Sequence, residues 1–119
     1  MSLKSVQEIV AETKSSIPCV TAEAAGEVRE QNSDALFIDV REPGEVEKKR
    51  AEGTINIPRG LLEMKITDYT TNPDCPIYVH CGSGGRASLS AAALQRMGFT
   101  NVNVIDADCD DIIGELGAP

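Results

Sequence analysis

At 119 residues, 41% hydrophobic and 25% charged, the chain has the size and composition of one globular domain able to bury about two-thirds of its unfolded surface. Its formal net charge of -8 repels phosphate backbones and anionic lipid surfaces, which argues against nucleic acid and membranes as partners. No run approaches the roughly 18 apolar residues that cross a bilayer, and Met1 to Lys14 is an amphipathic charged stretch rather than a secretion signal, so the expected location is the cytoplasm.

Val6, Ile9, Val10 and Thr13 recur at helical spacing and predict an amphipathic helix over Ser5 to Ser15, a helical extension (1–16) of a single domain spanning 1–119. Pro18 ends it, Cys19-Val20 is a short extended piece, and Thr21 is a good N-cap for a helix to about Glu30. The run Ala35 to Val40, closed by charge and Pro43, suits a strand buried on both faces; Pro43 then begins a short helix. Gly53 to Pro58 alternates like a brief strand, and Leu61 to Asp68 reads as a helix. Pro76 to Cys81 is the second clear buried strand, followed by Gly82-Ser83-Gly84-Gly85 and a helix over Arg86 to Met97 that Gly98 stops. Val102 to Ile105 makes a last strand and Asp110 to Leu116 a last helix. Strands separated by helices, with connections too long for hairpins, predict an α/β sandwich around a parallel sheet.

Four cysteines, at 19, 75, 81 and 109, show no Cys-x-x-Cys spacing and are accompanied by a single histidine, so a zinc site lacks ligands. Cys81 stands where open α/β sheets bind ligands, at the carboxyl end of a strand where a glycine-rich turn opens a helix. The N–H groups of Gly82 to Arg86 can curl around its sulfur, because glycine accepts backbone angles that side chains forbid, and the helix N-terminus adds positive potential. A sulfur whose negative charge is held by amides is a nucleophile that needs no partner base. His80 is adjacent to Cys81, and adjacent strand residues point to opposite faces, so His80 reads as structural rather than as a general base.

Strand, cysteine, small loop, arginine and helix resemble the active-site loop of the rhodanese-like domains. Asp39-Val40-Arg41-Glu42-Pro43 with Glu45 resembles that family's Asp-Val-Arg signature; Gly53 to Gly60 and Met97 to Val102 resemble further stretches of it. The resemblance implies a three-layer α/β sandwich with a central, mostly parallel five-stranded sheet. It also implies sulfur transfer by double displacement, in which Cys81 takes a sulfane sulfur as a persulfide and the amides of Gly82 to Arg86, with the Arg86 side chain, cradle the outer atom. Six residues from Cys81 to Arg86 match the sulfurtransferases, whereas the related phosphatases and arsenate reductases carry one more. The neutral Cys81-Gly82-Ser83-Gly84 looks more like mercaptopyruvate sulfurtransferases than thiosulfate-preferring ones. The implied partners are a small sulfur donor such as thiosulfate, a thiol or cyanide acceptor, or a partner sulfur-transfer protein, without metal or organic cofactor. The sequence departs from the family at Thr54, where a histidine is usual, and at 106–111, where an acidic run replaces a glycine pair.

Asp39, Arg41 and Glu42 read as structural ion pairs and caps. Arg59, after a proline that follows a strand, is a candidate ligand for the substrate anion. Asp106, Asp108 and Asp110 alternate like the start of an EF-hand, but Asp111 and Gly117 occupy positions where that loop needs glycine and glutamate, so calcium is not expected. Cys75 and Cys109 are the candidate resolving thiols; Cys75 lies about six residues, near 20 Å, from Cys81 along the same strand, which disfavours it relative to Cys109.

Overall fold

The two apolar runs that read as buried strands occupy the middle of a sheet. In the computed structural model, which describes residues 2–119, β1 (Cys19–Val20), β2 (Leu36–Asp39), β3 (Ile55–Asn56), β4 (Ile77–His80) and β5 (Val102–Ile105) pair in the order β1-β5-β4-β2-β3. Every neighbouring pair is parallel. Helices α1 (Val6–Ser16), α2 (Ala22–Gln31), α3 (Pro43–Lys48), α4 (Leu62–Lys65), α5 (Gly85–Met97) and α6 (Cys109–Leu116) surround the sheet. This is the α/β sandwich that the strand and helix spacing predicts. The segment expected as one helix from Leu61 to Asp68 is instead α4 between two single 3-10 turns, Arg59–Leu61 and Ile66–Asp68. The β-branched pair Ile66-Thr67 disfavours a longer helix, and the bent segment still buries Leu62 and Ile66 completely.

Strand pleating sorts the interior into two layers, because successive side chains point to opposite faces. Ile38, Val40, Val79, Cys81 and Val104 pack with Ala87, Ala91 and Leu94 of α5 on one face. Phe37 and Ile105 pack with Ala25 of α2 and Ile112 and Leu116 of α6 on the other, where Tyr78 stacks on Phe37 with ring centres 5.1 Å apart.

The helix ends follow their chemistry. Ser5 and Glu8 form a reciprocal capping box on α1, and Thr21 and Asp108 accept N–H bonds from Ala24 and Asp111 at the starts of α2 and α6. Gly98, at φ +111°, closes α5 in the left-handed conformation and donates to the carbonyls of Leu94 and Gln95.

The turn after β2 is held by a buried ion pair. Asp39 is fully buried, and Arg41 nearly so. The Arg41 fork donates to both carboxylate oxygens at 2.8–3.2 Å and to the Lys49 carbonyl at 2.8 Å. The Arg41 backbone N–H adds a further bond to Asp39 at 3.0 Å, and the Asn56 amide ties the carbonyls of both residues. Removing one partner of such a pair strands the other charge in the interior. Arg41→Ala is therefore expected to lower unfolding stability by about 3–5 kcal/mol, read as a shifted urea midpoint with an unchanged slope.

Candidate active site

Cys81 follows β4 directly, and its sulfur accepts two backbone N–H bonds, from Gly84 at 3.0 Å and from Ala87 at 3.3 Å. Ala87 is in the first turn of α5, where N–H groups have no helical partner, so the sulfur caps the helix as a serine or aspartate side chain would. The chain reaches this geometry through Gly84, the N-cap of α5, at φ +97°. A β-carbon there would face strain from the left-handed backbone and would lie 2.9 Å from Asp106 Oδ1. Two amides and the helix N-terminus place positive potential on the sulfur from one side.

Sequence reasoning assigned the cradle to Gly82 through Arg86. The structure uses Gly84 from that set and adds Ala87, which side-chain chemistry could not have singled out because only its backbone acts. Ser83 forms the exposed tip, while Gly82 and Gly85 are half-buried.

The Arg86 side chain turns to Glu45 at the start of α3. Its two terminal nitrogens reach the two carboxylate oxygens at 2.7 and 3.1 Å, and Nη2 lies 3.4 Å from where a β-carbon on Gly82 would stand. Glu45 also accepts the Glu42 N–H at 2.9 Å. The Arg86 guanidinium first, and that N–H second, hold the Glu45 carboxyl down at about 2. A bidentate pair of this kind ties α3 to the loop.

His80 lies on the opposite sheet face. Its ring is fully buried with neither nitrogen hydrogen-bonded, and Nε2 is 3.8 Å from Asp39 Oδ2. Burial outweighs the Asp39 charge and pushes its pKa down, so the ring is neutral and separated from the sulfur by the sheet. Asp39 and Arg41 are engaged with each other below that face.

Arg59 is anchored at the edge of β2 by its N–H to the Val40 carbonyl at 3.1 Å, but its guanidinium pairs with Glu63 at 2.8 Å. It lines a groove of about 540 Å³ with Leu89, Ala92 and Arg96 on the outer side of α5. The acidic run disperses: Asp106 pairs with Lys14 at 3.0 Å, Asp108 caps α6, and Asp110 pairs with Lys49 at 2.6 Å. Cys75 is buried before the amino end of β4, at the far end of that strand from Cys81. Cys109 is buried in α6, which packs on α2, and desolvation raises its pKa.

The rhodanese-like domain model matches residues 21–114, and the chain belongs to the rhodanese-like domain family. It is similar to YrkF of Bacillus subtilis, 34% identical over 95 residues, 79% of this chain and 50% of that protein. It is also similar to the thiosulfate sulfurtransferase PspE of Escherichia coli, 29% identical over 66 residues, 56% of this chain and 64% of PspE. The chain thus spans about half to two-thirds of these relatives. Its fold matches the polysulfide-sulfur transferase homodimer of Wolinella succinogenes at a TM-score of 0.79 and 24% identity, over 92% of this chain and 83% of that one.

Two outcomes test the geometry of the loop. Gly84→Ala is expected to slow alkylation of Cys81 by iodoacetamide roughly tenfold, the worth of one such hydrogen bond, as followed by peptide-resolved mass spectrometry with the other cysteines as internal standards. The Glu45–Arg86 pair should show the pH signature of a depressed carboxyl. Its contribution, taken as the stability difference between wild type and Glu45→Gln, is expected to be constant above about pH 4.5 and to shrink as pH falls toward 2, measured by urea unfolding at a series of pH values.

Proposed function

We propose that this chain is a sulfurtransferase in which Cys81 carries a sulfane sulfur as a persulfide. The observation that carries this reading is the closing of the Gly84 and Ala87 amides on the sulfur itself, at 3.0 and 3.3 Å. The span of six residues from Cys81 to Arg86 favours a sulfur atom over a tetrahedral oxyanion, by its likeness to the sulfurtransferase loops. Cys81 is 1% exposed, and the loop over it carries no side chain but that of Ser83 between Gly82 and Gly85, so one atom enters with a small backbone adjustment. Family membership and the activity named for PspE support the same chemistry.

In the first half-reaction the Cys81 thiolate attacks the outer sulfur of the donor. A sulfur–sulfur bond forms to Sγ while the donor's own bond to that sulfur breaks, and the leaving group departs with the electron pair: sulfite from thiosulfate, or pyruvate after proton uptake from 3-mercaptopyruvate. In the second, cyanide or a thiolate attacks the outer sulfur of the persulfide and returns Cys81 as the thiolate. Amide N–H groups stabilise the negative sulfur in both steps without proton bookkeeping, which fits a site whose one histidine is on the far side of the sheet. A cytoplasmic location agrees with four cysteines that are all free, and YrkF, named as a candidate sulfur carrier, supports exchange with a partner sulfur-transfer protein.

Brief exposure of reduced protein to thiosulfate is expected to add about 32 Da, one sulfur atom, reversed by cyanide and absent in Cys81→Ser. Intact-mass spectrometry reads this directly. Failure of wild-type protein to gain that mass from thiosulfate, mercaptopyruvate or a small persulfide would remove the reading.

A further inference from the structure

From the geometry around Gly84 we infer that Lys14, carried by α1, receives the distal oxyanion of the sulfur donor and so selects donors that bear one. This rests on the sulfur-transfer reading above and names the residue that sets its donor class. Lys14 lies on α1, outside the matched family segment, which begins at residue 21.

Thr13 and Ile17, on either side of Lys14 in sequence, are buried, and α1 packs on α5. Lys14 Nζ lies 3.4 Å from where a β-carbon on Gly84 would stand, and the Gly84 N–H reaches Cys81 Sγ at 3.0 Å. Two intervening bonds of about 1.5 Å then put the ammonium within about 9 Å of the sulfur. A thiosulfate whose outer sulfur touches Sγ carries its oxygens roughly 6 Å from Sγ, one charge-assisted bond of about 2.8 Å from that limit.

Two cations stand near the loop, and they differ in how they are held. Arg86 is fixed by a two-point pair, one N–H from each terminal nitrogen to the two Glu45 oxygens, which orients its guanidinium along α3. Lys14 makes one hydrogen bond, to Asp106 Oδ1 at 3.0 Å, and its side chain is 31% exposed. An ammonium has three donors, so two remain for an anion while Asp106 keeps the third. In a chain of net charge -8, an anionic donor needs such a local cation to offset the overall field.

The test compares two donors of the same sulfur atom: inorganic thiosulfate, whose leaving sulfite carries the oxyanion, and 2-hydroxyethyl persulfide, whose leaving thiolate carries none. The rate of mass gain on Cys81 is measured for wild type, Lys14→Gln and Lys14→Arg, each checked for native helicity by circular dichroism. Lys14→Gln is expected to lose about tenfold in the second-order rate with thiosulfate and to stay within about twofold of wild type with the persulfide, while Lys14→Arg retains most of the thiosulfate rate. The wild-type thiosulfate rate should fall more steeply with salt than that of Lys14→Gln, since salt screens the attraction of the approaching dianion to the ammonium beyond about 10 Å at 0.1 M. An equal loss with both donors, or no loss with thiosulfate, overturns the assignment. A wild type that takes sulfur from the persulfide but not from thiosulfate overturns it while sulfur carriage stands; one that takes sulfur from neither removes the sulfur-transfer reading itself.

Discussion

The unpaired N–H groups at the start of α5 need an acceptor, and the acceptor placed there is the sulfur of Cys81. Much of the structure around it serves that contact. The β4 strand delivers the sulfur to the carboxyl edge of the sheet, Gly84 turns the chain through a backbone angle that a side chain would strain, and α5 packs its small residues Ala87 and Ala91 onto the same sheet face. The sulfur thus takes the place of a helix cap, and in the sulfur-transfer reading proposed above the same two N–H groups would hold its negative charge.

Strand parity separates the two kinds of buried polarity. Cys81 faces α5, whereas His80, Asp39 and Arg41 lie on the α2 and α6 side, where the ion pair shapes the turn leading to α3. That turn sets Glu45 against Arg86, so the interior pair acts on the loop through α3 rather than by touching the sulfur. The buried His80, next to Cys81 in sequence, is separated from its sulfur by the sheet.

Charge is arranged against the overall field. The acidic surplus is dispersed among partners: Asp106 on Lys14, Asp110 on Lys49, Glu63 on Arg59 and Glu45 on Arg86. Three of these contacts are single hydrogen bonds at half-exposed sites, individually worth little to stability. Their importance is in what they leave uncovered at the rim of the loop.

The strands, the α/β layering and the place of Cys81 at a strand end are legible in the sequence, because hydrophobic runs, caps and glycine turns act over a few residues and are written locally. The two central strands, the helix stops at Pro18 and Gly98, and Cys81 at a strand end were all legible in this way. Tertiary structure alone decided which amides meet the sulfur, since Ala87 contributes a backbone group that every residue shares. It alone decided the partners of the charged side chains: Arg59 turns to Glu63, Arg86 to Glu45, and Lys14 to Asp106 across 92 positions of chain. Such pairings depend on where parallel strands bring distant segments together, and a long flexible side chain carries no local signal of the neighbour it will find.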